Sequence, residues 1–261
     1  MNILILLVAG AIAGILAGLF GIGGGLIVVP VLAFVFVSQG ISADVIMHVA
    51  IGTSLATIVT TALSSIRAHH KRGAIDWQAF KHITPGILLG GVIGAGIAEL
   101  LDSNTLRILF ACFLTAVATQ MIIDKQPSPH RQLPGLVGMT ITGSVIGSIA
   151  SLMGVGGGTM SVPFLTWCNV PVRNAVGTSA AIGLPIAISG AISFMVTGWG
   201  SENLPPWSIG YINLPAYLSI VFASILFAPL GAALAHRLQP VLLKRLFSVF
   251  LYAVAIKMFL A

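Results

Sequence analysis

Two glycine clusters in this sequence could bind an anion through backbone N–H groups. The first contains Gly23, Gly24 and Gly25, the second contains Gly156, Gly157 and Gly158, and each is followed by a short apolar stretch. A helix that begins after such a cluster leaves about four N–H groups unpaired and carries roughly half a positive charge at that end. Glycine also lets an anion approach the backbone closely. The pattern therefore predicts an anion site without a buried cation.

The clusters belong to a longer repeat, because residues 18–32 return as residues 151–165 with eight of fifteen positions identical. Paired breaks in the apolar segments of two halves are typical of transporter binding sites. Close packing of membrane helices through small residues is the alternative interpretation. No Lys followed by Ser or Thr comes after either cluster, so the sequence predicts no nucleotide-binding P-loop. The glycine spacing does not open a strand–helix unit, so the sequence predicts no dinucleotide fold either.

Hydroxyl groups recur at matching positions after both clusters. Thr53 and Ser54 follow Gly52, and Thr178 and Ser179 follow Gly177. These side chains could complete the shell of donors around an anion. Alternatively, they bond to carbonyl groups of their own helix, as Ser and Thr often do.

One charged or titratable residue precedes each of these hydroxyl pairs at the same distance. His48 lies four residues before Gly52, and Arg173 lies four residues before Gly177. We consider a gating role, with one residue on the outer path and the other on the inner path. The alternative is that both side chains extend to the membrane interface.

The composition is that of a polytopic membrane protein. The chain is 57% hydrophobic and only 7% charged, whereas soluble domains carry about 25% charged residues, and its mean hydropathy is +1.06. Its two cysteines have neither disulfide nor metal-ligand spacing. The six carboxylates fall at predicted helix ends or loops, which argues against a cation transporter and against an intramembrane hydrolase. We predict no enzyme activity, no metal, no other cofactor and no nucleic-acid partner.

The apolar segments indicate an all-α protein made of two repeats. We place the first transmembrane repeat at residues 1–123, a cytoplasmic linker at 124–132 and the second repeat at 133–261. The stretches after the glycine clusters are shorter than the roughly 20 residues that span a bilayer. These short stretches favour one re-entrant helical hairpin, bent at its glycines, and three spanning helices in each repeat. Five spanning helices in each repeat are the alternative. The glycine-rich stretch 90–96 is expected to pack tightly against a neighbouring helix.

The distribution of basic residues predicts that the second repeat is inverted relative to the first. Cytoplasmic loops carry an excess of Lys and Arg. With an inverted repeat, only Arg107 and Lys257 fall outside, and the other ten basic residues fall inside. The two hairpins then enter from opposite sides, and their tips meet near the midplane.

The doubled glycine motif, each copy followed by a Gly-Thr-Ser triplet, resembles the TauE/SafE family of sulfite and organosulfonate exporters over essentially the whole chain. The resemblance implies export of a small sulfur-containing anion across the bacterial cytoplasmic (inner) membrane. The family motif falls on these residues: Gly21, Gly23, Gly24, Gly25, Pro30, Thr53, Ser54, Gly154, Gly156, Gly157, Gly158, Pro163, Thr178 and Ser179.

Such an exporter would need no coupling ion. An inside-negative potential of about 100 mV drives each anionic charge outward with about 2.3 kcal/mol. A selective anion channel or an anion importer of the same architecture stays open as an alternative, as does a membrane subunit that transports nothing. The expected partners are the small anion and the lipid bilayer, and a homo-oligomer stays open as well.

Overall fold

A computed structural model describes residues 3–20, 24–123, 132–235 and 240–260. These ranges contain ten helices and one short β-hairpin, which confirms an all-α protein. The helices of the first half are α1 (Ile3–Phe20), α2 (Gly25–Ser38), α3 (Ile46–Lys71), α4 (Trp77–Glu99) and α5 (Ser103–Ile123). Those of the second half are α6 (Leu136–Leu152), α7 (Gly158–Trp167), α8 (Val172–Thr197), α9 (Leu214–Ala235) and α10 (Pro240–Leu260). Strands β1 (Ser208–Ile209) and β2 (Ile212–Asn213) pair antiparallel before α9.

The lengths and compositions of the helices confirm a multi-pass membrane protein. Four helices, α3, α4, α5 and α8, are long and apolar enough to cross a membrane. The helix surfaces that face away from the core carry large apolar side chains, among them Leu89 and Val92 of α4. Lipid tails can cover such a surface, whereas a contiguous apolar surface of this kind is rare on soluble monomers. The predicted linker, except Gln132, lies outside the described residues.

Small residues hold α4 and α6 together, as the sequence predicts for the stretch 90–96. Gly90 lies against the backbone of Ser144, and Gly94 lies against the backbone of Ser148. A Cβ atom at either glycine would overlap a backbone oxygen of α6. Gly96 differs, because the described residues leave open space around it. The close approach thus depends on glycine at particular positions of this stretch.

The packing of α6 on α4 has a counterpart in the packing of α1 on α9. Gly143 and Gly147 of α6 lie against Ile83 and Ile87 of α4. Gly10 and Gly14 of α1 lie against Ile220 and Ser224 of α9 in the same way. Gly10 and Gly143 each precede the last glycine of their cluster by the same number of residues. Each half therefore packs its first helix on the fourth helix of the other half.

The centre of the molecule is formed by α3 and α8, which run antiparallel. Gly52, near the start of α3, lies against Phe194 near the end of α8. Gly177, near the start of α8, lies against Ala74, just after the end of α3. All the α3 residues from Ile46 to Leu55 are buried. The two halves share one hydrophobic core, and the glycine clusters lie against these two central helices.

Candidate functional site

The two short helices begin where the sequence predicts, directly after the glycines. Helix α2 begins at Gly25, and its N-cap Gly24 has a φ of 69°, a conformation that other residues rarely adopt. Helix α7 begins at Gly158 with Gly157 as its N-cap. No side chain caps either end, so the first backbone N–H groups of both helices are left to other partners. Gly23 lies outside the described residues.

The start of α2 touches the turn that precedes α7. A Cβ atom at Gly25 would lie 2.7 Å from the backbone oxygen of Gly154 and 2.7 Å from Cα of Val155. Gly154 has a φ of 64° and lies against Val29 and Ile51 of the first half. Glycine at these positions therefore allows two stretches of backbone to come into direct contact.

The serines of the predicted site hold the second glycine cluster in place. The Oγ of Ser54 donates a 2.9 Å hydrogen bond to the backbone oxygen of Gly154. The Oγ of Ser179 donates a longer bond of 3.4 Å to the backbone oxygen of Gly157. Both serines are buried. The structure thus brings Ser54, Ser179, Gly154 and Gly157 together around one turn of the chain. Gly156 directly precedes Gly157 in the sequence.

The two threonines accept hydrogen bonds from the starts of other helices. The Oγ1 of Thr53 accepts a 2.9 Å bond from the backbone N–H of Asn213, the residue before α9. The Oγ1 of Thr178 accepts a 2.8 Å bond from the backbone N–H of Asp76, the residue before α4. Both threonines are fully buried. These contacts fix where α4 and α9 begin, and binding of an anion by the threonines stays a prediction.

Asp76 and Asn213, for which the sequence predicts no site role, cap the helices that they precede. The Asp76 carboxylate accepts hydrogen bonds from the N–H groups of Gln78 and Ala79. The Oδ1 of Asn213 accepts a bond from the N–H of Ala216. Asp and Asn are favoured at helix N-caps for this reason. The capping pattern is visible in the sequence, but the threonine partners are not.

The predicted gating residues lie near opposite ends of α3. His48 is part of α3, whereas Arg173 belongs to α8 and contacts the C-terminal end of α3. His48 is 5% exposed in the first turn, and its Nε2 lies 3.0 Å from the backbone oxygen of Ala98. Since a carbonyl only accepts, Nε2 carries the proton in this arrangement. Arg173 is exposed and donates to the backbone oxygen of Arg72, the C-cap of α3. The stretch of α3 from His48 to its C-cap Arg72 is about 36 Å long. His48 and Arg173 therefore lie towards opposite faces of the protein.

A recess of about 330 Å³ lies beside His48, and the carboxylates of Glu99 and Asp102 line it. The ring of Tyr211 lies 5.0 Å from that of His48, and its hydroxyl donates to Glu99 over 3.4 Å. Burial raises the pKa of Tyr211, so the phenol stays a neutral donor. Hydrogen bonds from Thr105 lower the pKa of Asp102. Together with Asp44, these residues place three carboxylates in the lining of the recess.

A second recess, of about 360 Å³, lies at the opposite end of the molecule. Asp76, Asn169 and Asn174 are among the residues that line it. Asp44 and Asn169 occupy equivalent positions in the two repeats, and Asp44 lines the recess beside His48. Each half thus contributes the segment before its long central helix to one recess. Among the described residues, no group of three or more His, Cys, Asp or Glu could hold a metal ion.

A buried serine with no predicted role, Ser161, lies in the first turn of α7. Its side chain is fully buried, and its Oγ has no hydrogen-bond partner within the described part of the chain. Such groups are rare in folded proteins and call for an explanation. The repeat offers a signal, because the equivalent residue of the first half is Val28.

Comparisons with known proteins point to one family. The family described as sulfite exporter TauE/SafE matches residues 6–258. A "Probable membrane transporter protein" of Haemophilus influenzae is 42% identical over 99% of this chain and 98% of its own length. A similarly named protein of Methanocaldococcus jannaschii is 33% identical, over 90% of this chain and 87% of its own. One from Bacillus subtilis is 29% identical, over 92% and 90%. No solved structure matches the chain significantly.

Proposed function

Because the chain belongs to the sulfite exporter TauE/SafE family and is a membrane transporter rather than an enzyme, we propose that it exports a small sulfur-containing anion from the cytoplasm. Sulfite or an organosulfonate is the expected substrate, and the membrane is the cytoplasmic (inner) membrane of a bacterium. Membership of the family supports this substrate class, and the geometry of the glycine clusters supports an anion site beside them.

The meeting of two half-helix starts is the observation that carries the proposal. Helices α2 and α7 begin at Gly25 and Gly158, and the tips of their hairpins touch. Both helix dipoles therefore present positive ends in one region of the core. An anion bound there accepts backbone hydrogen bonds, and Thr53, Ser54, Thr178 and Ser179 surround it or hold the backbone that does. The site lies near the middle of the membrane.

We further propose that the two halves form inverted repeats, each with a re-entrant hairpin and three spanning helices. The hairpins are α1–α2 and α6–α7. Three observations support this arrangement. The equivalent helices α3 and α8 run antiparallel, and the packing of α1 on α9 repeats that of α6 on α4. In addition, Thr53 and Thr178 make equivalent contacts with the other half. A two-fold axis in the membrane plane relates such halves, and it agrees with the distribution of Lys and Arg.

Transport proceeds by alternating exposure of the site to the two recesses, and the membrane potential drives it. The recess beside His48 opens to the outside, and the recess beside Asp76 opens to the cytoplasm. The carboxylates that line the outer recess disfavour rebinding of a released anion. An inside-negative potential favours outward movement by about 2.3 kcal/mol per charge at 100 mV. No coupling ion is needed.

Sulfite efflux from proteoliposomes tests this proposal. Purified protein is reconstituted, the vesicles are loaded with sulfite, and potassium with valinomycin sets the potential. We expect efflux to accelerate when the interior is negative and to slow when it is positive, with protein-free vesicles as the control. Efflux that requires a pH gradient and ignores the potential would contradict potential-driven export. Absence of any anion flux would contradict the transport proposal.

A further inference from the structure

We infer that the two half-helix ends are not equivalent, and that the anion binds at the start of α7 with the hydroxyl of Ser161 as one of its ligands. The inference rests on the proposed function and makes it more specific. It replaces a site shared equally by two helix ends with a site built on one, and it assigns a side chain that determines specificity.

The other half of the protein covers α2 from its first residue, Gly25, while the N-cap Gly24 is partly exposed. Gly25 and the next five residues of α2 are buried. The backbone of Gly154 and Val155 lies directly against Gly25, and Cδ1 of Ile58 would be 3.1 Å from a Cβ placed there. This leaves no room beside Gly25 for an oxyanion. The start of α2 therefore serves mainly as the surface on which the second tip rests.

The start of α7 is open in comparison. The described residues place no atom within 4 Å of a Cβ built at Gly158. Gly158, Thr159 and Met160 are all partly exposed. Their N–H groups are the first three of the helix, since the N–H of Ser161 already donates to the backbone oxygen of Gly157. An anion can therefore reach these donors without displacing backbone.

The long helix beside each glycine cluster, α3 or α8, also leaves more space at the start of α7 than at the start of α2. Ile58 of α3 packs beside the start of α2, whereas the equivalent position of α8 is Gly183. A Cβ at Gly183 would lie 3.5 Å from the backbone nitrogen of Gly157. Glycine thus leaves space beside the α7 start where the first half places a branched apolar side chain.

Ser161 supplies the observation that points to a ligand. Its side chain is 0% exposed, and its Oγ lacks a partner in the described part of the chain. Residues three apart share a helix face, and helical side chains tilt towards the N-terminus, so this hydroxyl leans towards Gly158. A buried hydroxyl without a partner costs free energy. A bound oxyanion removes that cost, because each of its oxygens accepts hydrogen bonds.

The two helix starts differ in residue type, and such differences hold in every conformation of the transporter. Inverted repeats exchange their conformations during alternating access, so openness at one tip alone would not distinguish the two ends. Residue types do not change during transport. The second half always has Ser161 and Gly183 where the first half has Val28 and Ile58. The polar and spacious end therefore stays at α7 throughout the transport cycle.

Two measurements on Ser161→Ala test the inference. The first is the affinity for sulfite by calorimetry, and the second is the melting temperature of the ligand-free protein. Loss of a hydrogen bond to a charged oxygen corresponds to at least about a tenfold loss of affinity. We also expect a higher melting temperature, because the variant no longer buries an unpaired hydroxyl. Ser189→Ala is the control, since Ser189 is also buried but already donates to the backbone oxygen of Pro185, and its sulfite affinity should be unchanged.

The outcomes separate this inference from the proposed function. If the wild type binds sulfite and Ser161→Ala binds it equally well, Ser161 is not a ligand, while the proposed function stands. A lower melting temperature of ligand-free Ser161→Ala would show that the hydroxyl supports the fold, which overturns its assignment to the anion. If the wild type binds neither sulfite nor methanesulfonate, the proposed function fails and the inference fails with it.

Discussion

The hydroxyl of Ser54 donates a 2.9 Å hydrogen bond to the backbone oxygen of Gly154. This bond links the central helix of the first half to the glycine turn of the second half. Gly154 needs its positive φ to make that turn, and the turn leads directly to the start of α7. The geometry of the candidate anion site in one half thus depends on a serine of the other half.

Replacement of Ser54 by alanine should loosen the second glycine turn. The variant leaves the buried oxygen of Gly154 without its side-chain donor, which costs about 1–3 kcal/mol of folding free energy. Thermal unfolding in detergent measures the loss, and sulfite affinity should fall with it. Ser64→Ala is the matched control, because Ser64 lies exposed on the same helix and should have little effect. Equal stability of both variants would contradict the role assigned to the bond.

The two threonines should stabilise the protein by positioning α4 and α9. Thr53→Val and Thr178→Val keep the shape of the side chain but leave the N–H of Asn213 or of Asp76 without an acceptor. We expect each variant to lose about 1–3 kcal/mol of stability. Thr→Ser at the same positions retains the acceptor and should restore stability. A valine variant of wild-type stability that no longer binds sulfite would instead make the threonine a substrate ligand.

In the stretch 90–96, glycine should be needed for stability only at the positions where α6 packs against α4. Gly94→Ala places a methyl group into the backbone of Ser148 and should destabilise the protein by about 1–3 kcal/mol. Gly96→Ala meets open space and should be neutral or stabilise by up to about 1 kcal/mol, because alanine is the better helix former. Melting temperatures in detergent compare the pair. Similar losses in both variants would mean that Gly96 packs against another molecule.

Cysteine labelling should reveal the predicted inversion. Cys112 and Cys168 are first replaced by serine, after which Lys71→Cys and Glu202→Cys are made separately. Lys71 ends α3, and Glu202 lies in the loop after α8. We expect a membrane-impermeant maleimide to label Glu202→Cys in intact cells, and to label Lys71→Cys only after the membrane is permeabilised. Labelling of both from outside would exclude the proposed orientation.

The sequence predicted the elements of the site better than their partners. The glycine clusters located the starts of α2 and α7, because a helix break and a helix end depend on local residues. The repeat placed the four hydroxyls at equivalent positions. The sequence did not predict that Thr53 accepts a bond from Asn213, since those residues are far apart in the chain and only tertiary packing joins them. Nor did it predict that Gly25 would be covered and Gly158 open, because the packing of one tip on the other decides that.

Sulfite binding to the purified protein tests the central claim most directly. Calorimetry compares the wild type with Gly158→Val, which fills the open space at the start of α7, and with Gly96→Val, which places the same side chain in open space elsewhere. The melting temperature of each variant confirms folding. We expect binding to the wild type and to Gly96→Val, and loss of binding in Gly158→Val. Binding of equal affinity in folded Gly158→Val would show that the anion does not lie at the start of α7.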